Sequence, residues 1–250
     1  MNRFENKVVL VMGGNSGMGL ATAQAFAAEG ATVHLTGRNQ QTIDAAVASI
    51  PGSTGHAADI ADIASSEEVV RKIEAEHGRI DVLYINAGVG GFATLKDITP
   101  EAWDTTNSIN LKGCVFALQK ATRIMGRGSS VVVTGSIGAH ASLPGNGVYA
   151  AAKGGLYAAM KVFAKELIAD GIRLNMVSPG PIDTPLLYRN PGMTDEGAAA
   201  LKEKMIEVIP VHRMGTSDEI AKAVLFLASD DASFIVAANL FVDGGLLELR

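Results

Sequence analysis

Residues 7–12, KVVLVM, form a short β-branched run that ends on glycines. The following LATAQAFAAEGA carries apolar residues at helical spacing and closes on Gly30. A strand, a glycine turn and a helix in direct succession begin a βα unit, whose crossover leads naturally to a second, parallel strand. The pattern then repeats. ATVHLT is followed by a helix near 39–50, HAADI by one near 65–77, and DVLYINAG by helical stretches around 100–126. SSVVVTGS precedes the helix containing YAAAK, and IRLNMVSPG, DEIAKAVLFLAS and NLFVDGG supply a strand, a helix and a last strand. About seven strands alternate with helices, and right-handed crossovers stack those helices on both faces of one parallel sheet. The predicted class is α/β, doubly wound. Such a sheet binds ligands beyond the carboxyl ends of its strands, so the segments just after the strands carry the functional reading.

A chain of 250 residues with 48% hydrophobic side chains can bury a large core, and its 28 glycines are spread along it rather than gathered in a linker. One domain over 1–250 is expected. A net charge of -5 with no lysine/arginine block argues against nucleic acid as a partner. The apolar run near the start is too short to span a membrane and has no small-residue cleavage site, so a cytoplasmic location is expected. Cys114, the only cysteine, lies in the apolar stretch GCVFAL and is expected to be buried and inert. The five histidines, at 34, 56, 77, 140 and 212, show no HxxxH or HExxH spacing, so no metal site is expected.

The first turn reads GGNSGMG, with Gly13, Gly17 and Gly19 spaced GxxxGxG rather than GxGxxG. Glycines there permit a tight turn and bring backbone N–H groups at a helix N-terminus close to a pyrophosphate. At the end of the second strand a carboxylate would pair with the hydroxyls of an NAD ribose, but TGRN puts Gly37 and Arg38 there. A guanidinium suits a 2′-phosphate instead.

YAAAK places Tyr149 and Lys153 one helical turn apart on the same face. In isolation, a Tyr-x-x-x-Lys pair is ordinarily a surface contact of a few tenths of a kcal/mol. The remaining motifs change that reading. GGNSGMG, ADI, INAG, SINLKG, VVVTGSIG, YAAAK, SPGPIDTP and the terminal VDGG occur in this order, and the chain resembles the short-chain dehydrogenase/reductase family over its whole length.

The resemblance implies a Rossmann fold and an oxidoreductase that moves a hydride between a nicotinamide cofactor and a carbonyl/alcohol pair. It implies that Asn110, Ser136, Tyr149 and Lys153 are catalytic. In the family's mechanism the tyrosine hydroxyl exchanges a proton with the substrate oxygen. The serine positions that oxygen, the lysine holds the nicotinamide ribose and favours the phenolate, and the asparagine holds a water linking the lysine to solvent. It assigns Gly13, Asn15, Ser16, Gly17, Met18 and Gly19 to the cofactor turn and Asp59 and Ile60 to the adenine side, while Arg38, from its place after the second strand, is the main contact to the 2′-phosphate, with Asn39 and Asn15 as weaker ones. Asn86, Ala87 and Gly88 fall beneath the cofactor, and Pro179, Gly180, Ile182 and Thr184 at the nicotinamide end. Two positions depart from the family pattern: Met12 stands for a threonine and Ile85 for an asparagine.

Arg38 makes NADP(H) the expected cofactor over NAD(H). The segment near 184–214 is expected to be a substrate lid, with Leu186, Leu187, Tyr188 and Met205 as apolar contacts and Arg189 as a lone cation. An uncharged ketone or secondary alcohol is the expected substrate, as for bacterial alcohol dehydrogenases of the family. Two alternatives remain: a reductase of carrier-bound 3-oxoacyl thioesters, and a nucleotide-sensing protein without catalysis. A homotetramer is expected, with Leu156, Met160 and Phe163 of the YAAAK helix and the apolar C-terminal LFVDGGLLEL meeting symmetry mates.

Overall fold

A computed structural model describes residues 2–184 and 194–249. Its strands are β1 (Val8–Met12), β2 (Thr32–Gly37), β3 (Thr54–Ala57), β4 (Val82–Ile85), β5 (Ser130–Thr134), β6 (Arg173–Pro179) and β7 (Asn239–Val242). They form one sheet in the order β3-β2-β1-β4-β5-β6-β7, parallel throughout. The chain therefore builds outward from β1 to β3, then returns to the other side of β1 with β4. A crevice opens where the winding reverses, above the carboxyl ends of β1 and β4.

Alternation along the strands divides the core into two layers. Val8, Leu10 and Met12 face one layer, while Val9 and Val11 face the other. The first is closed by α3 (Ile63–His77), α5 (Cys114–Ala121) and α6 (Gly147–Leu167), and the second by α1 (Gly17–Ala28), α2 (Gln40–Ala48) and α8 (Ser217–Ala228). Two further helices, α4 (Pro100–Asn107) and α7 (Asp195–Val208), lie outside these layers. No helix among the described residues is long and apolar enough to cross a membrane.

Three local expectations change. HAADI is a strand only through Ala57, because Asp59 turns the chain: its carboxylate accepts from Ala61 N at 2.9 Å and its carbonyl from Asp62 N at 2.9 Å. The helical stretch expected over 100–126 is α4 and α5 joined by a π-helical segment, Ser108–Gly113, and its last turn is a 3-10 turn. Leu156 and Met160 are buried, with Phe163 packed beside them, in the molecule's own core rather than on an outer face. The α6 stripe is amphipathic toward the sheet, so burial against β-strands claims those residues first. Cys114 is buried, and burial raises its thiol pKa.

Helix α8 packs along α1 and thereby braces the first glycine turn. Its start is a capping box: Thr216 accepts from Glu219 N and Glu219 accepts from Thr216 N. Arg213 adds a two-pronged pair to the Glu219 carboxylate at 2.6 and 2.9 Å, and with Thr216 N it holds that carboxyl down to about 2. A depressed carboxyl pKa stabilises the fold above the ordinary carboxylate value and loses that contribution as pH falls. The melting temperature is therefore expected to fall between about pH 4.5 and 2, and to fall less steeply in Glu219→Gln. Equal slopes in the two proteins would show that the box contributes nothing.

Candidate active site

At the end of β1 the chain reverses at Gly13, whose φ of 81° lies in the left-handed region that favours glycine. The turn is fastened to β2: Gly13 N donates to Thr36 Oγ1 and Gly14 N to Thr36 O, each at 3.0 Å. From the β4 side, Asn86 Nδ2 donates to Gly13 O at 3.0 Å, and Asn86 N and Ala87 N donate to Met12 O at 2.9 and 2.8 Å. The contact at position 12 is made by its carbonyl, while the Met12 side chain enters the core, so methionine serves there.

Behind Asn86, Thr134 Oγ1 donates to the Tyr84 hydroxyl at 2.9 Å, and that hydroxyl donates to Asn86 Oδ1 at 3.1 Å. Burial pushes the Tyr84 phenol up to about 12, which keeps its proton available for donation.

Helix α1 begins directly against this turn. A Cβ at Gly19 would stand 2.0 Å from Gly13 O and 2.7 Å from Asn86 Nδ2. Gly19→Ala is therefore expected to push the helix off the turn, lowering the melting temperature and weakening nucleotide binding at least tenfold, about 1.4 kcal/mol. Isothermal titration with unchanged affinity would sink that expectation. No side chain caps the N-terminus of α1, where Ser16 stands in extended conformation. Its first amides are left for an anionic ligand.

A cavity of about 570 Å³ runs from this helix end along the crevice. Asn15, Ser16, Gly17 and Met18 line it with Gly13 on one side, and Arg38, Asn39, Asp59 and Ile60 line its outer end. Asn86, Ala87 and Gly88 form its floor, and Tyr149, Lys153 and Thr184 its other end. Asn39 caps α2 through bonds from Gln41 N and Thr42 N, and Asn15 Nδ2 donates to Thr42 Oγ1 at 2.7 Å. Arg38 is mostly exposed, with its guanidinium 4.0 Å from the Asp59 carboxylate.

The other predicted residues lie around the cavity rather than on its lining. Asn110, in the π-helical segment, is fully buried and brackets the backbone of Val89, accepting from its N–H at 2.9 Å and donating to its carbonyl at 2.8 Å. Ser136 Oγ accepts from Gly138 N at 3.0 Å. A methyl group at Gly138 would lie 3.2 Å from Ser136 Oγ and 3.4 Å from Tyr149 Cε1, so both side chains converge on that glycine. Pro179 ends β6, Gly180 N donates to Val242 O at 3.0 Å, and Ile182 is buried beside Gly215. Leu186, Leu187, Tyr188 and Arg189 fall outside the described residues, whereas Met205 belongs to α7.

Lys153 is 3% exposed, and its ammonium donates to the Thr134 carbonyl at 2.9 Å. A buried ammonium needs such a partner, and the bond fixes where the charge sits. A Cβ on Gly88 would lie 3.1 Å from Asn110 Oδ1 and 3.8 Å from Lys153 Nζ, which sets Asn110 behind the cavity floor and Lys153 at its margin. The sequence reading missed Thr36, Gly37, Thr42, Ala58, Val89, Ile109 and Thr134 on the lining and Tyr84 beneath it. The only available signal for Thr36 and Thr134 was a hydroxyl at the carboxyl end of an otherwise apolar strand.

A family model described as Enoyl-(Acyl carrier protein) reductase matches residues 13–247. A 3-oxoacyl-[acyl-carrier-protein] reductase of Thermotoga maritima is 37% identical over 98% of this chain and 99% of its own length. The chain belongs to the short-chain dehydrogenase/reductase family. Levodione reductase of Leifsonia aquatica is 37% identical, covering 97% of this chain and 95% of that protein. The crystal structure of a short chain dehydrogenase from Burkholderia cenocepacia in complex with NADP superposes with a TM-score of 0.89 at 31% identity, over 98% of this chain and 99% of that one.

Short-chain dehydrogenase/reductase membership makes the protein an oxidoreductase of a family that binds a nicotinamide cofactor. The residues present fit a dinucleotide. A Cβ would fill the approach at Gly19, the α1 amides are uncapped, and the cavity reaches from the turn to Tyr149.

Proposed function

We propose that the protein is an NADP(H)-dependent dehydrogenase/reductase that interconverts an uncharged ketone and its secondary alcohol, with Tyr149 as general acid/base. The observation carrying this reading is the placement of Tyr149 and Lys153 together at one end of the cavity that begins at the α1 N-terminus. A nicotinamide bound in that cavity supplies or accepts the hydride equivalent. The phenol hydroxyl of Tyr149 gives its proton to the substrate oxygen in reduction and takes it back in oxidation. Ser136 Oγ, converging with the Tyr149 ring on Gly138, orients that oxygen. Lys153, held by the Thr134 carbonyl, presents a fixed positive charge one turn from the phenol, where it would hold the cofactor ribose. Asn110 keeps the Val89 backbone in place beside it.

The relatives named as 3-oxoacyl-[acyl-carrier-protein] reductases favour a second reading, a carrier-bound 3-oxoacyl thioester as substrate. Oxidation of NADPH and of NADH, followed across a panel of bulky ketones and one 3-oxoacyl thioester, separates the two. Turnover confined to the thioester would replace the ketone reading, and cofactor binding without any turnover would leave a nucleotide sensor. We extend the proposal to a homotetramer, supported by the exposed Val162 on α6, Ile168 just beyond its C-terminus and Phe234 before β7. A monomeric mass by light scattering would overturn that extension.

A further inference from the structure

Three of the five histidines, far apart in sequence, meet under α3. His34 and His56 lie on the neighbouring strands β2 and β3 and are buried, while His77 is the last residue of α3. The helix is stopped there by Gly78 in the left-handed conformation, which accounts for where the His77 ring is delivered. His34 Nδ1 is 3.0 Å from His56 Nε2, and His34 Nε2 is 2.9 Å from His77 Nε2. His77 Nε2 is also 3.4 Å from a Glu76 carboxylate oxygen. One ligand atom each from His34, Glu76 and His77 therefore falls within 4.8 Å of the others.

Proton accounting shows what this geometry suits. Each neutral imidazole carries one N–H. A proton on His77 Nε2 can be donated to His34 Nε2 or to Glu76, but not fully to both. A cation between the three atoms accepts a lone pair from each. His34 then carries its proton on Nδ1 and donates it to His56 Nε2, the arrangement in which a second group orients a metal-bound imidazole.

We propose that His34, Glu76 and His77 bind one zinc-class divalent cation, with water in the fourth position and His56 orienting His34. Two imidazoles and a carboxylate suit Zn²⁺ better than Mg²⁺ or Ca²⁺. Ligand atoms of a tetrahedral zinc site stand about 3.3 Å apart, given bonds of about 2.0 to 2.1 Å. The His77–Glu76 separation of 3.4 Å already matches, the His34–His77 separation of 2.9 Å needs a small outward shift, and the His34 and Glu76 ligand atoms lie within 4.8 Å. The exposed Glu76 opens the site to solvent.

None of these residues lines the nucleotide cavity. Helix α3 carries the chain back from the carboxyl end of β3, so its C-terminus lies toward the amino ends of the strands, away from the cavity. The cation would pin that helix end to β2 and leave the reaction site alone.

The test uses the full chain, stripped with chelator and titrated with Co²⁺ in place of Zn²⁺. One equivalent per chain with a strong tetrahedral visible band is expected, displaced by Zn²⁺ and accompanied by a raised melting temperature. His77→Gln and Glu76→Gln should each weaken binding at least tenfold, and His56→Phe by about tenfold to hundredfold. His140→Asn and His212→Asn should change nothing. Glu76 is exposed, so Glu76→Gln keeps the test valid if a histidine variant misfolds. Absence of a one-equivalent band, or a band that survives intact in both Glu76→Gln and His77→Gln, would overturn the site.

Discussion

Tyr149→Phe is expected to lower turnover by roughly 10²- to 10⁴-fold, the usual contribution of a positioned general acid, while cofactor affinity stays within about a few fold. The substitution removes only the hydroxyl. The ring position is held by the first two turns of α6, where Val148 and Ala152 are buried on either side of it. Lys153 keeps its bond to the Thr134 carbonyl whether or not the phenol is present, so the cofactor end of the cavity should be preserved. Steady-state kinetics combined with titration of NADPH separates the two quantities. A variant that retained more than about a tenth of wild-type turnover would remove Tyr149 from the proton-transfer role.

Replacing Arg38 with aspartate is expected to reverse a preference for NADP(H). A hydrogen bond to a charged group contributes about 1.5 to 3 kcal/mol, a roughly tenfold to hundredfold discrimination. The surroundings argue for the lower part of that range. The guanidinium is largely exposed and shares its charge with Asp59, 4.0 Å away, which itself faces an incoming 2′-phosphate unfavourably. Solvent-exposed charges are screened, so the preference should shrink as salt is raised. In Arg38→Asp, two carboxylates would stand at the mouth, repelling a phosphate while the new one can accept from a free ribose hydroxyl. Measuring kcat/KM with both cofactors in both proteins decides it: equal use by the wild type, or an unchanged ratio in the variant, refutes the role of Arg38.

Much of the site was legible because its chemistry lies next to strand ends that local patterning reveals. The glycine turn follows an apolar run, and Tyr149 and Lys153 share a helix, so one periodicity places them together. Arg38 follows the last residue of β2 and Asn39 caps α2, both as the TGRN turn implies. Leu156 and Met160 were misassigned because helical amphipathicity states that a face is buried without stating against what. Their burial against the strands could be seen only once the sheet was assembled.

What the sequence by itself determined is the succession of strands and helices, the glycine turn and the one-turn spacing of Tyr149 and Lys153. These depend on neighbours within a few residues, where backbone sterics and side-chain periodicity act directly. Only the tertiary structure decided that β4 returns beside β1, which opens the crevice and lets Asn86 brace Gly13 across 73 residues of sequence. It likewise decided that Asn110 brackets Val89 and that His34 meets both His56 and His77. Those contacts are set by strand register and helix packing over long separations, and a one-residue shift of register would turn each strand side chain to the opposite face.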